Sequence, residues 1–210
     1  MAIQISGTTV IDNSRNFTNL GSGSFASPVS AATPTSGSHA TTKSYVDGKS
    51  SSTAGEVLQV VQTTYTAQTT SNSTYSWSQI TGLNRTITTT QTNSRILLFS
   101  TVCTGGQNDF TFFAFSRDGS RIGTGAGAII ARSICGGAVY IGYGYALNSW
   151  SGVYLDSPGV SSGTTLTYGM QFTVGYNDGD NCYINRTNTN SNQTYDGNGR
   201  SNIICMEIAP

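Results

Sequence analysis

Charge is what this chain has least of. Only 10% of its 210 residues are charged, the formal net charge is zero, and lysine occurs twice, at Lys43 and Lys49. Binding to nucleic acid draws on clustered Lys and Arg that displace counterions from phosphates, so this composition argues against it. Histidine occurs once, as His39, in a stretch rich in Gly, Ser and Pro. A serine hydrolase needs a base beside its nucleophile, and a His-based metal centre needs several ligands; one histidine without a scaffold serves neither. No metal and no cofactor is expected. No apolar run approaches the roughly 20 residues of a membrane-spanning helix. The opening MAIQISGTTV has neither the basic region nor the apolar core of a secretory signal, so synthesis in a cytoplasm is expected. The four cysteines, Cys103, Cys135, Cys182 and Cys205, show no C-x-x-C metal spacing. They read as buried free thiols; a Cys182–Cys205 bridge near the C-terminal strands is the alternative, and spacing leaves both open.

What the chain does have is Gly, Ser, Thr and Asn, with apolar residues concentrated after Gly55. Residues 1–55 hold a thin apolar scatter (Ile3, Ile5, Val10, Ile11, Phe17) broken by Gly21, Gly23, Pro28, Pro34 and Gly37. Such a segment buries too little surface to offset its ordering entropy, so it is expected to be an extended arm held against another surface. The run Ala40–Gly48 has the makings of one short helix start.

Residues 56–210 read as a β module. Strands are expected at Val57–Tyr65, around Leu83–Ile87, at Arg95–Cys103, Asp109–Asp118, Gly136–Leu147, Trp150–Asp156, Thr164–Val174, Cys182–Asn185 and Asn202–Ile208. Thr164–Val174 alternates most cleanly, with Leu166, Tyr168, Met170, Phe172 and Val174 on one face. Ile96–Phe99 is a continuous apolar run, as in a strand covered on both faces. In DFTFFAFSRD, Phe110 and Phe112 share one face while Phe113 and Phe115 share the other. Two apolar faces need two covers: a second sheet, and another sheet or subunit. The smooth parity Ala138, Gly142, Gly144 and Ala146, opposite Tyr143 and Tyr145, suggests close approach by another backbone. Short strands separated by turns, without a helical crossover, predict antiparallel pairing closed as a β-sandwich or jelly roll.

Two polar stretches are candidate sites. Asp178 and Asp180 sit in NDGDN, which reads as a turn; it lacks the ligand spacing of a calcium loop, and with Asp196 it offers the carboxylates a glycosidase would need. The loop Arg186–Arg200 carries Asn188, Asn190, Tyr195, Asp196 and Asn198, hydrogen-bonding groups with an aromatic platform, which suits polar recognition, sugars included.

The opening MAIQISGTTVIDNSRNFTNL resembles the start of fibre-like virion proteins of bacteriophages, marine and cyanobacterial ones especially, and ATTKSYVDG resembles an element of phage tail-fibre shafts. VLQVVQTTY, SRILLFSTV, FAFSRDGSRIGTG and IICMEIAP resemble a C-terminal β module of such proteins, similar to trimeric jelly rolls of the TNF/C1q type. A long shaft is lacking, which also admits a short head fibre or a capsid-decorating protein. The resemblance implies a non-enzymatic virion component assembled in the host cytoplasm. It would be a homotrimer, anchored to other virion proteins by its N-terminal arm (Ile3, Ile5, Val10, Ile11, Phe17), with the module binding a host surface glycan or protein. The alternatives are a cement protein reinforcing the head and a small polysaccharide-cleaving enzyme.

Overall fold

The computed structural model describes residues 3–5, 8–11, 53–71, 76–125, 135–175 and 181–210. The chain divides into two compact units, Met1–Ser51 and Ser52–Pro210. In the first, β1 (Ile3–Ile5) pairs antiparallel with β2 (Thr8–Ile11), Ile3 opposite Ile11. Ile3, Ile5, Val10 and Ile11 therefore lie on strands, where an extended arm was expected. Phe17, His39 and the helix start at Ala40–Gly48 lie outside the described residues.

The second unit is all-β, without a helix among the described residues. Its strands are β3 (Val57–Tyr65), β4 (Thr69–Ser71), β5 (Ser78–Thr88), β6 (Arg95–Gly105), β7 (Asp109–Arg117), β8 (Ser120–Ile122), β9 (Gly137–Ile141), β10 (Leu147–Asp156), β11 (Thr165–Val174), β12 (Cys182–Ile184) and β13 (Ser201–Ile208). Every pairing is antiparallel. One sheet runs β3-β13-β6-β10, with β12 and β4 continuing beside the far end of β6 in the lane that β13 leaves. The other runs β5-β11-β7, with β9 and β8 dividing the last lane. Number the eight main strands in chain order, leaving out β4, β8 and β12. One sheet then reads first, eighth, third, sixth, and the other second, seventh, fourth, fifth. That interleaving makes the sandwich a jelly roll.

Side-chain alternation puts the core between the sheets. Ile96, Leu98 and Val102 of β6, Phe113 and Phe115 of β7, and Leu166, Tyr168, Met170, Phe172 and Val174 of β11 are all buried there with Trp150. Trp150 lies 5.6 Å from Phe113 and 5.8 Å from Phe115, ring centre to ring centre. Gly137 leaves the indole its room, since a Cβ there would lie 2.3 Å from Nε1 of Trp150. Phe113 and Phe115 are therefore core residues, whereas Phe110 is 45% exposed on the outer face beside Tyr140 and Phe112 is half-buried.

Two buried carboxylates fasten the sandwich. Asp156 accepts from Arg117 Nη1 and from the Tyr168 hydroxyl, both at 2.7 Å. Burial first, then the Asp156 carboxylate, pushes the Tyr168 phenol far above its usual value, so it stays a donor. Glu207 accepts from Gln59 Nε2 at 2.6 Å, from the Thr90 amide at 2.7 Å and hydroxyl at 3.0 Å, and from the Gln91 amide at 3.3 Å. Burial pushes its carboxyl up, but bonds from Gln59, Ser94 and Thr90 outweigh this and hold it below the ordinary value. Glu207 thus ties the loop after β5 to β13.

Two expectations change, and one open choice is decided. The stretch Gly136–Leu147 is two elements: β9 ends at Ile141, a turn follows, and β10 starts at Leu147. Tyr143 and Tyr145 are therefore exposed turn residues, not core, and the small residues share no single face. Ile96–Phe99 is covered by its own chain on one side only, with Phe99 38% exposed. All four cysteines are free, Cys182 and Cys205 being buried, which excludes their bridge here.

Candidate recognition tip and assembly face

The second unit has distinct ends. Residues 53–57 and the end of β13 meet at one: Gly55 N donates to Ala209 O at 3.1 Å, Ala209 N donates to Glu56 O at 2.8 Å, and Val57 pairs with Ile208. The C-terminal end of β6 lies at the other, where Gly105 pairs with Leu147 and Tyr183. From Phe99 to Gly105 an extended strand covers about 20 Å.

The loop 185–200 folds over that far end. Asn185 has φ 63 and is buried; its Nδ2 donates to the carbonyls of Tyr65 and Ala67, at 2.9 and 3.0 Å, and its Oδ1 accepts from Ser201 at 2.7 Å. Asn190 and Asn192 also take positive φ, a conformation asparagine tolerates better than most residues. Asp196 organises the loop interior. Its carboxylate accepts from the hydroxyls of Thr187 (3.1 Å), Thr189 and Ser191 (2.7 Å) and from the Ser191 amide. These bonds, from Ser191 and Thr189 above all, hold the carboxyl well below the usual carboxylate range.

That overturns one expectation. Asp196 is not a free recognition group, because its oxygens are engaged within its own loop. Asn198 likewise accepts from Gln68 at 3.0 Å, and Asn188 donates to Gln107 at 2.8 Å. Asn190 and Tyr195 remain exposed. Asp178 and Asp180 lie outside the described residues.

What the structure adds is aromatic. Tyr143 and Tyr145 stack at 5.8 Å, and Tyr145 meets Tyr195 edge-on at 6.0 Å. All three rings are more than half exposed, at 66, 53 and 59%. The turn that carries the first two is pinned to the loop that carries the third, since Thr189 N donates to Gly144 O at 3.1 Å. Tyrosines held in contact but open to water are contact surface already ordered before binding. The sequence hid this group because Tyr143 and Tyr145 read as strand residues.

The outer face of the β3-β13-β6-β10 sheet is the second unusual surface. Pairing aligns Val60, Met206, Leu97 and Leu155 in one row across all four strands, and Gln62, Ile204, Phe99 and Val153 in the next. Val60 is 54% and Val153 62% exposed. Towards the tip the next row, Thr64, Asn202, Thr101 and Ser151, is polar. Apolar rows ending sharply in a polar row mark a contact surface.

Among the described residues no group of three or more His, Cys, Asp or Glu could hold a metal, and no helix is long and apolar enough to cross a membrane. No family model matches the chain, and no curated protein matches it. Among solved structures, one of the infectious bursal disease virus Gx strain is similar over 72% of this chain at 12% identity, with a TM-score of 0.33. The alignment covers 38% of that virus chain. A likeness of this degree bears on neither family nor role.

Proposed function

We propose that this protein is a non-enzymatic, structural component of a virion, a short fibre-like appendage. Copies associate as a homotrimer through the apolar rows Val60–Leu155 and Gln62–Val153. The N-terminal unit anchors the trimer to other virion proteins, and the tyrosine tip meets the host surface. The observation that carries this reading is the polarity of the second unit. Its first residues lie at one end, its exposed tyrosines lie at the other, and an uncovered apolar face lies on the sheet between. A sheet apolar on both sides needs cover on both sides, and copies of the same chain supply it without another gene product. Three tips on one body multiply weak single contacts by avidity. The chemistry at the tip is hydroxyls, amides and rings, which suit surface recognition rather than bond cleavage.

The test has two readings of one preparation. Sedimentation of the full chain at micromolar concentration should give a trimer, and a clean monomer would sink the assembly claim. Particles carrying Tyr143→Ala, Tyr145→Ala and Tyr195→Ala together should assemble but adsorb poorly to host cells. Normal adsorption, with particles that instead lose heat resistance when the protein is omitted, would replace the appendage reading with shell reinforcement.

A further inference from the structure

We propose that a polar pocket on the outer face of the β5-β11-β7 sheet binds a single saccharide ring, at a site separate from the tyrosine tip. The pocket originates in a bulge. Gly169 of β11 pairs with Asn84 of β5, yet Gln171, two residues on, pairs with Gln79. The surplus residues of β5 buckle, sending Ile80 and Leu83 into the core, and Gly82 takes φ 94 to allow it. Bulges re-aim side chains and are frequent beside functional sites. Gln79 and Asn84 are left flanking Gly169, whose missing Cβ makes room for the Gln79 side chain: a Cβ there would lie 2.3 Å from Gln79 Nε2 and 3.2 Å from Asn84 Cβ.

The resulting open depression measures about 380 Å³ and is bordered by Ser116, Thr167, Gln171 and the Asp118–Gly119 turn. That volume lies near the lower end of the range for ligand pockets, roughly 300–1,000 Å³, which fits one small ring. The walls are held in place. Ser116 Oγ donates to Gln79 Oε1 at 3.2 Å, Gln171 Nε2 donates to Gly119 O at 2.7 Å, and Asp118 Oδ1 accepts from the Thr167 amide at 2.8 Å. These bonds do not engage the Asn84 side-chain amide, Gln79 Nε2, Gln171 Oε1 or Asp118 Oδ2, and we assign these donors and acceptors to the sugar.

The chemistry selects the ligand. No lysine or arginine lines the cavity, so an anion has no partner there. A single carboxylate is too few ligands for a hard cation. The lining side chains are amides, hydroxyls and one carboxylate, and their carbon stems offer apolar surface that suits the C–H face of a sugar ring. A ring of hydroxyls, each both donor and acceptor, matches alternating amides and one carboxylate.

Isothermal titration of the full chain with glucose, galactose, mannose and N-acetylglucosamine tests this directly. At least one sugar should bind saturably in the millimolar range. Asn84→Ala, at an exposed side chain, should weaken that binding by about tenfold with an unchanged melting temperature. Gly169→Ala should abolish it by displacing the Gln79 side chain, and Tyr195→Ala should leave it unchanged. The proposal is overturned if none of the four sugars binds, if Asn84→Ala binds as tightly as the parent, or if Tyr195→Ala removes the signal.

Discussion

The two outer faces of this sandwich are built from strands of similar length, yet they differ in chemistry. The β3-β13-β6-β10 sheet shows water Val60, Met206, Leu97, Leu155, Ile204, Phe99 and Val153. The β5-β11-β7 sheet shows a threonine ladder: Thr88 faces Thr165 with hydroxyls 3.0 Å apart, and Thr86 faces Thr167 at 3.4 Å. Cross-strand hydroxyl pairs of this kind stabilise a sheet while remaining wet. The threonine-bearing face is the more finished of the two, its exposed aromatics being Phe110 and Tyr140 where β7 meets β9. Only the inner faces had to be apolar for the sandwich to close, so the broader apolar outer face is the one the proposed assembly uses.

The largest expected effect comes from charging the unfinished face. Leu97→Asp, in the middle of the apolar row, should shift the protein to monomer in sedimentation at concentrations where the parent associates, with an unchanged β-sheet spectrum. Thr167→Asp on the finished face should leave the association state as it was. Equal effects from the two substitutions would erase the contrast.

A second experiment reaches what both faces share. Glu207→Gln should lower stability by about 1–3 kcal/mol in denaturant titration, because a charge-assisted acceptor of several bonds becomes a neutral one. The parent should show a matching pH dependence. The folded carboxyl titrates below its unfolded value of about 4.5, so its contribution is complete above that pH and disappears as pH falls below it. A melting temperature that stayed flat on acidification through this range would contradict the assignment.

Smaller still is the effect expected at the tip. Asp196→Ala should leave the melting temperature nearly unchanged while amide exchange at 187–191 speeds up, because the carboxylate orders its own loop rather than the core. At the finished face, Thr88→Ala should change stability by about 0.5 kcal/mol or less. A loss as large as that of Glu207→Gln would mean the ladder carries load.

The inner side of the fold was legible because it is written with period two. Leu166, Tyr168, Met170, Phe172 and Val174 alternate without interruption, and all five are buried. The two parities of the Phe strand do face opposite sides, but the pattern did not say which is inward: Phe113 and Phe115 are buried, whereas Phe110, for which a cover was expected, is exposed. The outer side was less legible, because an uncovered apolar row and a covered one have the same pattern. Ile96–Phe99 therefore looked doubly buried. At the tip, Tyr143 and Tyr145 kept strand parity across a turn, and only backbone geometry separates those cases. Asp196 misled for another reason: its partners Thr187, Thr189 and Ser191 are all local, and sequence does not say whether a loop carboxylate faces its own backbone or the solvent. The bulge between Gln79 and Asn84 left one trace, a glycine at position 82 inside an otherwise ordinary strand.

The lane occupied by β13 has a consequence for synthesis. This strand lies between β3 and β6, and it bonds Gln59 to Glu207 across 148 residues of chain. A ribosome therefore releases β3 and β6 long before the strand that joins them exists. Until Ser201–Ile208 emerges, Leu97 and Phe99 have no complete sheet around them, and premature encounters between nascent chains would bring together half-built edges. Contacts this distant in sequence also predict slow folding, since the loop must close before they form. Maturation of such a chain is timed by its final strand.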